Sequence, residues 1–123
     1  ESTNFWINIL MAISNSLLGS TATTLVTGSS GGTAVTVVFF CNNSADTATI
    51  DVFIAQSGEG AKDGDGGDST TDANIILKEI TITSKDTYIL DTEKVILGSG
   101  DRLMAQAADS SGQVVATASF LNL

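Results

Sequence analysis

Between Thr33 and Gln56 the chain reads TAVTVVFFCNNSADTATIDVFIAQ, two β-rich runs around the turn-favouring cluster Asn42-Asn43-Ser44-Ala45-Asp46. Val, Thr, Ile and Phe fill both arms, and these residue types suit a pleated, half-buried surface. The second arm places Ala48, Ile50, Val52 and Ile54 on one parity and Thr47, Thr49 and Asp51 on the other. That period of two marks a strand with one face on a core and one in water. The first arm, Val35 to Phe40, is apolar on both parities. A strand covered on both sides lies centrally in its sheet or beneath a partner subunit. The spacing predicts that Thr33–Gln56 forms the central hairpin of an antiparallel sheet.

The remaining segments repeat this grammar. Leu17–Thr27 reads as one or two short strands broken at Gly19, followed by the turn Gly28-Ser29-Ser30-Gly31-Gly32. In Ala73–Thr83, Ile76, Ile80 and Ile82 share one face with Lys78 on the same parity, and Leu77 and Glu79 lie opposite, which predicts a shift of face at a bulge near Lys78. Thr87–Leu90, Lys94–Leu97 and Arg102–Ala108 read as strands. Ser110-Ser111-Gly112 is then expected to close a hairpin onto the last strand, Gln113–Leu121. With 12 glycines and no proline, about eight short strands predict an all-β fold, an antiparallel β-sandwich or jelly-roll-like domain.

At 123 residues the chain suits one domain, drawn here over residues 19–123, with residues 1–18 as an N-terminal arm or leader. Those residues hold the lone Trp and an apolar run too short and too polar to span a bilayer. Three readings stay open. Met11 starts the natural chain; the segment is an N-terminal strand; or Phe5, Trp6, Ile7, Ile9 and Leu10 form an arm that is buried on a neighbouring subunit.

Charge and side-chain chemistry exclude whole classes of function. Fourteen acidic against 5 basic residues give a net charge of −9, and the five cations form no cluster. Phosphate contacts need clustered Lys and Arg, so nucleic acid and anionic membranes are not expected partners. Zero histidines remove the Ser-His-Asp triad, imidazole metal sites and the common proton shuttle. The single cysteine, Cys41, forms no intramolecular disulfide and reads as a small buried hydrophobe. Asp51 and Glu79 read as surface members of strands rather than a glycosidase pair. Tyr88, Phe39, Phe40 and Phe53 read as core rather than a sugar-stacking platform.

One segment has the composition of a site. Ser57–Asp72 is dense in carboxylates, and calcium takes six to eight oxygens from a loop that can wrap it. Asp63, Asp65, Asp68 and Asp72 are the candidate calcium ligands. The spacing is not that of an EF-hand, because Asp68 stands where the loop glycine belongs and no Glu follows at position twelve. The alternative is a solvated acidic loop that needs no cofactor.

From Leu25 onward the chain resembles a known family. The segments VTVVFFCNNSADTATIDVFIAQSG, ANIILKEITI, DTYILD and LGSGDRLMAQAADSSGQVVATASFL are similar to those of small β-sandwich virion structural proteins of tailed phages. The acidic loop Glu59–Asp72 departs from that pattern as an insertion. The resemblance implies a non-enzymatic structural role in the virion: capsid-surface decoration (cement), or an accessory part of the neck, tail or fibre. It implies as partners a homo-oligomer of this chain, a trimer being one form, and the major capsid protein. From a different class, a calcium-dependent carbohydrate-binding module would use the four aspartates.

Overall fold

Alternating β-branched and aromatic residues settle into strands wherever the sequence shows period two. The protein is described by a computed structural model covering residues 10–57, 74–91, 95–107 and 112–123. Nine strands occur there: β1 Leu10–Leu17, β2 Thr23–Thr27, β3 Thr33–Asn42, β4 Ala48–Ala55, β5 Ile75–Ile82, β6 Thr87–Leu90, β7 Val95–Leu97, β8 Arg102–Gln106 and β9 Val114–Asn122. No helix occurs among the described residues, so none there is long and apolar enough to cross a membrane.

The strands form two antiparallel sheets. One runs β1-β9-β3-β6, with β7 also paired to β3; the other runs β2-β8-β4-β5. β6 pairs with Val38–Cys41 and β7 with Thr33–Val35, so the two share one track along β3. Counted as one, they complete a nested set: first strand with last, second with seventh, third with sixth, fourth with fifth. An antiparallel ribbon rolled in this way is a jelly roll of two packed sheets. The all-β sandwich expected from the periodicity is the fold observed.

The pairing differs from the sequence reading at two turns. β3 and β4 are not a hairpin: β3 pairs with β9, β6 and β7, whereas β4 pairs with β5 and β8. β8 and β9 likewise lie in different sheets. A polar turn between two alternating strands looks the same in sequence whether the chain folds back or crosses to the facing sheet. β3 is nonetheless central in its sheet, as its two apolar faces required.

Of the readings left open for the N-terminal segment, an N-terminal strand is the one seen over residues 10–17. Leu10–Leu17, placed in the expected arm, is edge strand β1, paired without a break to β9 from Leu10↔Asn122 to Leu17↔Val115. Phe5, Trp6, Ile7 and Ile9 lie outside the described residues, as do Asp63, Asp65, Asp68 and Asp72.

The inward positions make one core. Phe40, Val38, Ile50, Val52, Leu97, Leu103 and Val114 are fully buried together with Ala48, Ala105, Ala116 and Ala118. Large side chains set against alanines let two sheet faces interdigitate about 10 Å apart. Phe40 and Phe53 are buried and Tyr88 packs against the core, as expected of them; Phe39 is the exception and faces outward.

Polar clamps fix both ends of the sandwich. The buried Asn42 side chain donates from Nδ2 to the carbonyls of Asp46 (2.7 Å) and Ile82 (2.9 Å). Its Oδ1 accepts from the Ser44 amide and hydroxyl at 3.0 and 2.8 Å. At the other end Thr33, also buried, donates its hydroxyl to Asn122 Oδ1 at 2.8 Å and accepts from the Ser29 amide. Gly28 approaches the 98–101 turn so closely that a Cβ would collide with the Gly98 carbonyl. Asp101 closes that turn, accepting from the Gly98 amide (3.0 Å) and the Ser57 amide (2.7 Å).

Candidate interaction surface

The outward side chains of the β1-β9-β3-β6/β7 sheet follow from alternation, because their neighbours Val38, Phe40, Val114, Ala116 and Ala118 point into the core. Reading across the register, the outward rows are Leu121–Ala34–Ile96, Ile13–Ser119–Val37, Asn15–Thr117–Phe39–Ile89 and Leu17–Val115–Cys41–Thr87. Ten of these fourteen positions carry apolar side chains or the Cys41 thiol. Ile13 is 69% exposed, and Leu17 and Ile96 are 61% exposed. Scattered single hydrophobes on a surface need no explanation, but contiguous rows of them mark an interaction surface.

Electrostatics sharpen the contrast between the two sheets. None of the residues of β1, β3, β6, β7 and β9 is charged, although 15% of the chain is. The facing sheet carries Asp51, Lys78, Glu79 and Arg102 in its strands. A contact face whose centre is free of charge avoids the desolvation cost of buried ions. Polar groups on the face are partly spent within it: the Thr117 hydroxyl donates to Asn15 Oδ1 (2.8 Å), and that of Thr36 to the Ser119 carbonyl (3.0 Å).

The sheet edges differ in the same sense. On β5, an edge of the second sheet, Glu79 takes a left-handed φ of 54° and its amide donates to Asp51 Oδ1 at 2.7 Å. The register there skips from Ile50↔Ile80 to Val52↔Leu77, the bulge expected near Lys78. Bulges and charges are the usual devices that blunt an edge against further pairing. β1 has neither, since its register is regular and its sequence uncharged.

Among the described residues, no group of three or more His, Cys, Asp or Glu converges as a metal site. The calcium candidates Asp63, Asp65, Asp68 and Asp72 fall outside that region and are not placed. Of the expected contact residues, Leu10 alone is described, as the first residue of β1. Cys41, read from sequence as buried, is half-buried and outward-facing. The exposed rows of β1, β6 and β7 were not read from the sequence as contact residues. Their signal is weak: β1 puts Ala12, Ser14 and Ser16 inward and Ile13 and Leu17 outward, the reverse of the usual pattern.

No family model matches the chain, and no curated protein matches it. Among solved structures, the chain is similar to one in the "acidic stable capsid structure of Helicobacter pylori bacteriophage KHP30". That likeness covers 92% of this chain and 85% of the other, at 14% identity and a TM-score of 0.51. At that identity it is a likeness of fold.

Proposed function

We propose that this chain is a non-enzymatic structural protein of a phage virion, a small jelly-roll component that decorates the capsid surface. The observation that carries this reading is the apolar, charge-free face of the five-stranded sheet, a surface that makes sense covered by another subunit. The likeness to a chain of a phage capsid structure supports it, because the match spans most of both chains and so relates two small domains of similar extent. The described carboxylates, Asp46, Asp51, Glu79, Asp86, Asp91 and Asp101, all lie off the strands of that face, which suits a component whose other side meets water.

Within the virion reading, decoration of the shell stands ahead of a neck, tail or fibre position. The partners are then copies of this chain and the shell protein. The test is the composition of particles banded on a density gradient from cells that express the chain. Decoration expects the chain in the particle band at a copy number comparable to the shell protein. A few copies per particle would shift the position to neck or tail. Absence from the band overturns the virion reading. The calcium-dependent carbohydrate module, using Asp63, Asp65, Asp68 and Asp72, remains the reading from another class, and chelation separates it.

A further inference from the structure

We infer that the outer face of the β1-β9-β3-β6/β7 sheet is where a second copy of this chain packs, sheet face on sheet face, in a closed two-fold pair. The inference rests on the assembly reading above and names the partner of its surface. Three observations point to a second copy. The first is where the hydrophobes are. Of the seven large apolar side chains that stand exposed among the described residues, five lie on this face: Ile13, Leu17, Phe39, Ile89 and Ile96.

The second observation is charge. Two copies each bear −9 and repel, so they are best brought together on strands that, among the described residues, carry no carboxylate. Asp51 and Glu79 stand on the opposite sheet, and Asp46, Asp86, Asp91 and Asp101 in the connections between strands. A basic partner would find nothing on this face to recognise. A like partner finds matching rows of Ile, Leu, Val and Phe, which pack as aligned sheets do in a sandwich.

The third is extent. Four strand tracks at about 4.8 Å spacing, with eight to ten residues at about 3.3 Å each, give a footprint of roughly 19 by 30 Å. The two copies together would bury on the order of 1,100 Å², just above the roughly 1,000 Å² expected of a specific interface. One self-complementary patch makes an isologous pair that closes on itself. A trimer needs two different patches on each chain, so the pair replaces the trimer as the expected form.

The test is sedimentation of the full chain over about 1 to 200 µM, a range that brackets micromolar dissociation constants. The expected mass rises towards twice the 12.6 kDa of one chain. Ile13→Glu places a charge in the contact and should weaken the pair at least a hundredfold; Thr81→Glu, on the outer face of the other sheet, should leave it unchanged. Equal melting temperatures of the two variants in dilute solution show that folding is not the cause. Cys41, on the face, gives a second readout: its alkylation should slow with concentration in the natural chain and not in Ile13→Glu. A monomer throughout, a trimer, or a dimer indifferent to Ile13→Glu overturns the inference. A monomer still found in banded particles would overturn the pair while leaving the virion reading standing. A dimer absent from particles would do the reverse.

Discussion

Replacing Asn42 should be among the most damaging single changes in the described fold, and the cost can be worked from its four hydrogen bonds. Its two Nδ2 protons go to the Asp46 and Ile82 carbonyls, which can only accept, so the amide orientation is fixed by its partners. In Asn42→Ala the single Ser44 hydroxyl proton, no longer drawn to Asn42 Oδ1, is free for the Asp46 carbonyl 2.9 Å away. The Ile82 carbonyl loses its bond from Asn42 at a buried site, and the Ser44 amide loses its acceptor. A buried group stripped of a partner costs about 1–3 kcal/mol and an ordinary hydrogen bond about 1, so the total is about 2–4 kcal/mol. For 123 residues the unfolding entropy is about 0.26 kcal/mol/K, so the melting temperature should drop by roughly 8–15 °C. Asn42→Asp, with the same shape, should cost more at neutral pH, because a carboxylate oxygen then faces two carbonyl oxygens. There the folded state holds the introduced carboxyl's proton more tightly than the unfolded state does. Stability therefore falls as pH rises through the carboxylate range, and part of the deficit returns in acid. Urea unfolding of both variants at pH 4 and 7 measures this. A loss below about 0.5 kcal/mol for Asn42→Ala, or an Asp variant with no more pH dependence than the natural chain, refutes the clamp.

Other expectations follow from the same contacts. Glu79 sits at φ 54°, where a β-branched residue is strained and glycine is not. Glu79→Val should be about 2 kcal/mol less stable than Glu79→Gly by chemical denaturation, and equal stabilities would contradict the bulge. Asp101→Ala removes the acceptors of the Gly98 and Ser57 amides. Water reaches both sites, so the loss should be only about 1–2 kcal/mol, read as a melting shift of roughly 4–8 °C. The virion reading expects no change in melting temperature between calcium and chelator. The carbohydrate-module reading expects a rise in calcium that Asp63→Asn with Asp65→Asn abolishes, since a ligand bound only to the folded state stabilises it.

The strands were legible because burial here follows parity: Ala48, Ile50 and Val52 are buried and Thr49 and Asp51 half-exposed, as their alternation required. The bulge at Lys78–Glu79 was legible too, since Lys78 falls on the parity of Ile76, Ile80 and Ile82 while Leu77 lies opposite. Partners were not. Asn42 belongs to a string of turn formers, yet its amide is buried and fastens the crossing from β3 to β4 rather than a hairpin. The pairings that define the roll, such as Leu10 with Asn122, are too distant in sequence for local signals to encode. β1 was obscured by its inverted pattern. Small polar residues face inward at this edge and Ile13 and Leu17 face out, so the strand resembled an arm. The two apolar faces of β3 did forecast a central strand, but Phe39, read as core with the other aromatics, stands on its outward side.

The most direct test of the central claim, that the charge-free sheet face is covered in the assembled particle, uses the native thiol. Cys41 is the sole cysteine and lies on that face, opposite Val115 and Thr87. Its alkylation rate would be measured in banded particles and in dilute free chain under the same conditions. The account predicts that the particle-bound thiol is strongly protected and that mild dissociation of the particle restores its reactivity. Equal rates in particle and free chain would contradict it, because the face would then be open to solvent where assembly requires it to be closed.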